Sequence, residues 1–132
     1  MYRSLGAVFL TLSLVLPGVA SGAQKRDDWE LLGRREVDFK VDRDRIDVGR
    51  SEGRFRQLRF TVKGGDIEMR DMVVTFGDGT TFSPNLRHHF DEKSSSRVID
   101  LPGNRRVIKR VDFVYRSMSR RGGKATVSLY GR

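Results

Sequence analysis

The stretch RRVIKRVDFVY (residues 105–115) combines four cationic side chains with six that are apolar or aromatic. Successive side chains of a β-strand point to opposite faces, which would place Val111, Phe113 and Tyr115 together against a core. The residues between them would then face solvent, as in antiparallel sheets that bury one face. The stretch therefore predicts a core strand of a β-protein with a cationic outer face.

A second stretch, RFRQLRFTV (residues 54–62), repeats this apolar spacing. Counted from Phe55, its apolar side chains lie at positions 0, 3, 5 and 7. Counted from Ile108, the same four positions of residues 108–115 are also apolar. The step of three interrupts the alternation, as a β-bulge or a strand that begins after a turn would. We expect the two stretches to occupy equivalent places in two packed sheets.

Short alternating segments separated by turn signals continue from Trp29 to the end of the chain. At residues 77–79, Gly-Asp-Gly favours a hairpin, since a phosphate-binding loop would need a following lysine and helix that the sequence lacks. The pattern predicts an all-β fold with almost no helix. We expect a single antiparallel β-sandwich, jelly-roll-like, of roughly eight to ten short strands.

The N-terminal residues differ from the rest of the chain. Arg3 precedes an apolar run from Leu5 to Leu16, and the small residues 21–23 follow it, as in a secretory signal peptide. The run is shorter than a membrane helix requires. Residues 1–23 are therefore predicted to be a signal peptide, residues 24–28 a disordered leader and residues 29–132 the β-sandwich domain. The mature protein is expected to be secreted or periplasmic.

The amino-acid composition excludes some classes of function and favours others. The chain has no cysteine, so disulfides, thiol catalysis and cysteine metal sites are excluded. Its formal net charge is +9, which becomes +8 without Arg3. Such a field attracts polyanions, and arginine pairs well with phosphate and carboxylate because its planar fork donates two parallel hydrogen bonds. The alternative is that the charge only maintains solubility.

Four stretches of the chain are similar to those of a known protein group. They are WELLGRREV, FGDGTTF, SRVIDLPGNRRVIKRVDFVYRS and ATVSLYGR. With them the chain resembles a group of small uncharacterised secreted bacterial proteins. The resemblance implies an exported β-sandwich, and it implies no substrate or catalytic residue.

These observations predict a non-enzymatic binding module for an anionic envelope or extracellular polymer, such as an acidic glycan, lipopolysaccharide or another polyanion. No cofactor and no metal are predicted. The candidate binding residues are Arg105, Arg106, Lys109 and Arg110, with Arg120 and Arg121 as a second cluster.

Three alternatives remain open. A small basic hydrolase would use His88 or His89 with Asp78, but adjacent strand residues point to opposite faces and no complete catalytic constellation is present. An exposed strand edge would suit a protein partner. Asp42, Asp44 and Asp47 resemble the start of a calcium loop, yet position six is not glycine and position twelve is not glutamate. A charge-balanced turn is therefore expected there.

Export gives a direct test of the N-terminal assignment. Mass spectrometry of the mature protein should find an N-terminus near Gln24, because the small residues 21–23 fit the cleavage position. A mature protein that retains Leu5 to Leu16 would contradict the assignment.

Overall fold

The structure is a computed structural model that describes residues 28–37, 42–118 and 124–132. The predicted signal peptide, most of the predicted leader, and Arg120 and Arg121 lie outside these residues. In the described part, no helix is long and apolar enough to cross a membrane. Eleven strands are present there: β1 (Glu30–Val37), β2 (Asp42–Asp47), β3 (Arg54–Phe55), β4 (Gln57–Lys63), β5 (Ile67–Phe76), β6 (Thr81–Phe82), β7 (His89–Phe90), β8 (Ser94–Ser95), β9 (Ile99–Asp100), β10 (Arg106–Ser117) and β11 (Ala125–Gly131).

The strands form two antiparallel sheets. The first has the order β1-β11-β4, with the short strands β8 and β9 on the far side of β4. The second has the order β2-β10-β5, with β6 and β7 on the far side of β5 and β3 paired to the start of β10. When β6 with β7 and β8 with β9 are each counted as one strand, this is the strand order of a jelly roll. The predicted fold class is confirmed, and the strand number exceeds the expectation because five strands have only two residues.

Aromatic side chains from both sheets meet in the core. The Phe60 ring of β4 lies 6.1 Å from the Phe113 ring of β10 and 4.8 Å from the Phe90 ring, in edge-to-face geometry. Phe60 is fully buried, as are Val111, Phe113 and Tyr115. Edge-to-face pairs add to the stabilisation that area burial provides. The inward face predicted for residues 111–115 is therefore confirmed.

The step of three in the apolar spacing has a different origin in each stretch. In β10 it is a β-bulge, because Ile108 pairs with Phe76 and Arg110 with Thr75, which leaves Lys109 between them. In residues 54–62 the chain instead changes sheets. Phe55 belongs to β3 and pairs with β10, whereas β4 begins two residues later and pairs with β11 in the other sheet.

The expectation of a charge-balanced turn at Asp42, Asp44 and Asp47 is wrong, because residues 42–47 form the edge strand β2. Two of its charged side chains bond to side chains of β10. Asp44 accepts a hydrogen bond of 2.6 Å from the Tyr115 hydroxyl, and Arg45 donates one of 2.8 Å to Asp112. Pairing with a neighbouring strand, which the local sequence does not reveal, decides the conformation.

The contact between the sheets makes a stability prediction. Phe60→Ala and Phe113→Ala should each lower the free energy of unfolding by about 3–5 kcal/mol, the usual cost of removing a buried phenylalanine ring. Denaturant unfolding measures this cost. Phe82→Ala, at a half-buried position, should cost clearly less. Unchanged denaturation midpoints in both core variants would show that the ring contact does not hold the sheets together.

Candidate functional site

The start of β10 is lined by a segment that comes from far away in the sequence. The amide of Val48 donates to the carbonyl of Lys109 at 3.0 Å, and that of Gly49 to the carbonyl of Ile108 at 2.9 Å. Further along, β3 pairs antiparallel with the first residues of β10. Residues 48–55 therefore lie beside residues 106–109.

A tight turn shapes this segment. Gly49 and Gly53 have φ angles of 86° and 98°, a region that glycine adopts without steric cost, and they flank a single 3₁₀ turn at Arg50–Glu52. The amide of Gly53 closes the turn on the carbonyl of Arg50 at 3.1 Å. Arg50 and Arg54 are thereby fixed beside the start of β10.

An open cavity of about 530 Å³ lies between this segment, the β5–β6 hairpin and β10. We call it the arginine cavity. Its charged lining residues are Arg50, Arg54, Arg105, Arg106, Lys109 and Asp78, and it is also lined by Gly49, Phe76, Gly77 and Val107. Five cations therefore share one concave surface with a single carboxylate.

Arg106 is anchored inside the arginine cavity. Its guanidinium donates to Asp78 at 3.1 Å and to the Thr80 hydroxyl at 2.8 Å. It also lies 3.7 Å from the centroid of the Phe76 ring, in cation–π geometry. Asp78 is thus already paired, and the Phe76 ring is covered.

The other four cations of the cavity are Arg50, Arg54, Arg105 and Lys109. All four are exposed. Within residues 28–37, 42–118 and 124–132, the structure gives their side chains no hydrogen bond and no ion pair. The cavity consequently carries positive charge that the described protein does not neutralise.

The structure separates the cations predicted from the sequence. Arg105, Arg106 and Lys109 line the arginine cavity, whereas Arg110 lines a neighbouring groove and lies 3.5 Å from Asp112. Sequence reasoning missed Arg50 and Arg54. The Gly-Arg-Ser-Glu-Gly-Arg motif signals a turn there, but only the pairing of β3 with β10 brings that turn to the site.

The residues of the hydrolase alternative lie elsewhere in the fold. Among the described residues, the hydrogen-bond partners of the Asp78 side chain are Thr80 and Arg106, with no histidine. His89 Nε2 lies 2.7 Å from an oxygen of Asp91, and His88 Nδ1 lies 3.3 Å from the Met69 carbonyl. Asp66, His89 and Asp91 each offer one ligand atom within 4.8 Å of the others, an arrangement that is common at exposed positions without an ion.

The fold and the cavity define a small jelly-roll protein with a basic cavity at the start of its longest strand. The chain belongs to the DUF2541 family, a domain of unknown function, whose family model matches residues 7–131. The predicted likeness to an uncharacterised family is confirmed, while secretion and a bacterial origin stay predictions. A search of curated proteins finds no significant match.

Two solved structures are similar to the chain. One, described as a structural and functional characterization of Pseudomonas aeruginosa AlgX, is 10% identical with a TM-score of 0.44, and the match covers 83% of this chain but 27% of that one. The other is a mutant of the family 29 carbohydrate binding module CBM29-2, 14% identical with a TM-score of 0.37, where the match covers 80% of this chain and 92% of that one. Both TM-scores lie below 0.5, so neither likeness bears on function.

The hydrogen bonds that Asp78 accepts from Thr80 and Arg106 should make the stability of the protein depend on pH. The Thr80 hydroxyl and amide donate to Asp78, and the Arg106 charge adds to their effect, which holds the pKa of Asp78 below its ordinary value. Stability from this carboxylate is therefore present above the unfolded pKa and is lost as pH falls through the lower folded pKa. Carboxyl NMR titration should show the lowered pKa, and Thr80→Val should move it back toward the ordinary pKa of an aspartate. An Asp78 pKa that Thr80→Val leaves unchanged would contradict this account of the site.

Proposed function

We propose that the protein is a non-enzymatic binding module whose arginine cavity holds the phosphate or carboxylate groups of an anionic polymer. One observation carries the proposal. Four exposed cations without an anionic partner among the described residues line a single cavity, and its one carboxylate is occupied by Arg106.

The physical chemistry of the cavity favours an anion. Like charges held close together repel, and a bound anion would relieve that repulsion. Three of the unpaired cations are arginines, which pair with phosphate or carboxylate through two parallel hydrogen bonds. The tight turn and the bulge fix the backbone around them, so that binding has to order the side chains but not the backbone.

The same lining argues against chemistry in the cavity. General acid–base catalysis needs a group that exchanges a proton near the working pH, which is most often histidine. No histidine lines the cavity, and Asp78 is ionised and held by Thr80 and Arg106. These features support binding over hydrolysis.

A protein partner at a strand edge is less well supported. In the described part of the chain, β1 and β2 each pair on one side only. Both strands carry exposed charged side chains, such as Arg34, Arg35 and Arg43, and charged edges disfavour the addition of a further strand.

The expected location of the protein indicates the ligand class. The signal-peptide pattern of residues 1–23 would deliver the chain to a space that contains acidic glycans, lipopolysaccharide and other polyanions. We therefore propose a secreted or periplasmic protein that binds one of these polymers.

A matched pair of variants tests the proposal. Arg50→Ser, Arg54→Ser and Arg105→Ser combined remove three of the unpaired cations and leave Arg106 in place. Binding to heparin and to lipopolysaccharide should weaken by about tenfold or more, since each exposed ion pair contributes some tenths to 1 kcal/mol. The remaining affinity should also fall less steeply with salt, because fewer counterions are released.

The control removes the same charge elsewhere. Arg34→Ser, Arg56→Ser and Lys63→Ser combined change three exposed side chains that do not line the arginine cavity. Titrations at one ionic strength should show nearly unchanged affinity in this variant. Equal losses in both triple variants would assign the binding to net charge alone and would refute the cavity as a site.

A further inference from the structure

A second concave surface adjoins the arginine cavity along β10. A groove of about 600 Å³ lies on the outer face of the second sheet, across β2, β10 and β5. We call it the outer groove. On β10, Lys109 lines the cavity and the next residue, Arg110, lines the groove. On β5, Phe76 lines the cavity and the residue before it, Thr75, lines the groove.

The bulge at Lys109 lets two consecutive cations line the two adjoining surfaces. Ile108 and Val111 are fully buried, while Lys109 is exposed and Arg110 is half-buried between them. In a regular strand two neighbouring side chains would point to opposite faces. The extra residue of the bulge allows both cations to lie outside the core, one in each concavity.

The outer groove differs from the cavity in charge. It is lined by three cations and three carboxylates, namely Arg43, Arg45, Arg110, Asp44, Asp71 and Asp112. It therefore adds no net charge and offers donors and acceptors side by side. Such a surface suits a chain that carries hydroxyl groups as well as anionic groups.

Two of these side chains are available to a ligand. Arg43 and Asp71 lie opposite Val114 on its two sides, on β2 and β5. Both are exposed, and within the described residues Arg43 makes no side-chain hydrogen bond and Asp71 uses one oxygen, Oδ1, for the amide of Met72. They place a donor and an acceptor across the width of the groove.

Among the described residues, the two surfaces also lack an exposed aromatic ring on which a ligand could stack. Phe76 in the cavity and Phe113 in the groove are the aromatic residues of the two linings, and each is about 1% exposed. Single-stranded nucleic acids are normally bound by stacking their bases on aromatic rings. This composition disfavours a nucleic acid.

From these observations we infer that the cavity and the outer groove form one continuous site for an extended acidic polysaccharide, whose anionic groups pair with the cations of the cavity and whose hydroxyls bond to the polar side chains of the groove. The inference rests on the proposed function and adds the ligand class and its direction along β10. From Arg106 to Val114 the site spans about 26 Å at roughly 3.3 Å per residue.

Calorimetric titration with galacturonic acid and with oligogalacturonates of increasing length tests the inference. For the wild type, affinity should rise with length until the sugar chain covers the span from Arg106 to Val114. Arg43→Ala with Asp71→Ala, which leaves the net charge unchanged, should weaken the long oligomers by about fivefold or more, through lost hydrogen bonds. The shortest ligands should be unaffected. The control is Arg34→Ala with Glu36→Ala, a pair on β1 whose removal also leaves the net charge unchanged. It should alter the affinity neither for the long oligomers nor for the shortest ligands.

The outcomes separate this inference from the proposed function. If the groove variant binds long oligomers as wild type while the cavity triple variant loses them, the cavity stands and the continuous site is refuted. If neither variant loses affinity, the proposed function fails as well. A single-stranded DNA oligonucleotide of equal charge that binds as tightly as the long oligogalacturonate would overturn the polysaccharide assignment.

Discussion

Strand β10 has to bury one face against β4 while it keeps its cations outside the core, and the rest of the fold follows from this constraint. Phe113 meets Phe60 across the sandwich, and Val111 and Tyr115 fill the core on either side. A strict alternation would have sent one of two consecutive cations inward, where an unpaired charge is costly. The bulge at Lys109 avoids this cost, because it lets both Lys109 and Arg110 lie outside the core.

The cations of the cavity are of two kinds, one that is paired within the protein and four that are exposed. Arg106 is held by Asp78, Thr80 and the Phe76 ring, so its charge is largely compensated by the protein. The four remaining cations are exposed, and water and salt screen their mutual repulsion while the cavity is open. A ligand anion would replace that screening with direct pairing. The anchor therefore gives the site its shape, and the unpaired cations give it its charge.

The sequence predicted the layers of this fold well and its site only in part. Alternation within residues 111–115 is a local signal, so the core face of β10 can be identified from the order of the amino acids alone. The bulge and the change of sheets at Arg56 both produce the same step of three, and only the pairing partners distinguish them. Arg50 and Arg54 reach the cavity through pairing across about fifty residues of sequence, which local patterns do not reveal. For the same reason the sequence around Asp44 and Asp47 resembles that of a turn, although pairing with β10 makes this segment an edge strand.

NMR mapping of a bound anion tests the central claim most directly, because it locates the ligand without any substitution. The isotope-labelled protein would be titrated with heparin oligosaccharide, and the backbone amide and arginine side-chain signals would be followed. The largest shifts should fall on Arg50, Arg54, Arg105 and Lys109, with smaller ones continuing to Arg110. Shifts of equal size spread over remote cations such as Arg34 and Lys63 would contradict it, since they would show attraction to the whole surface and no defined site.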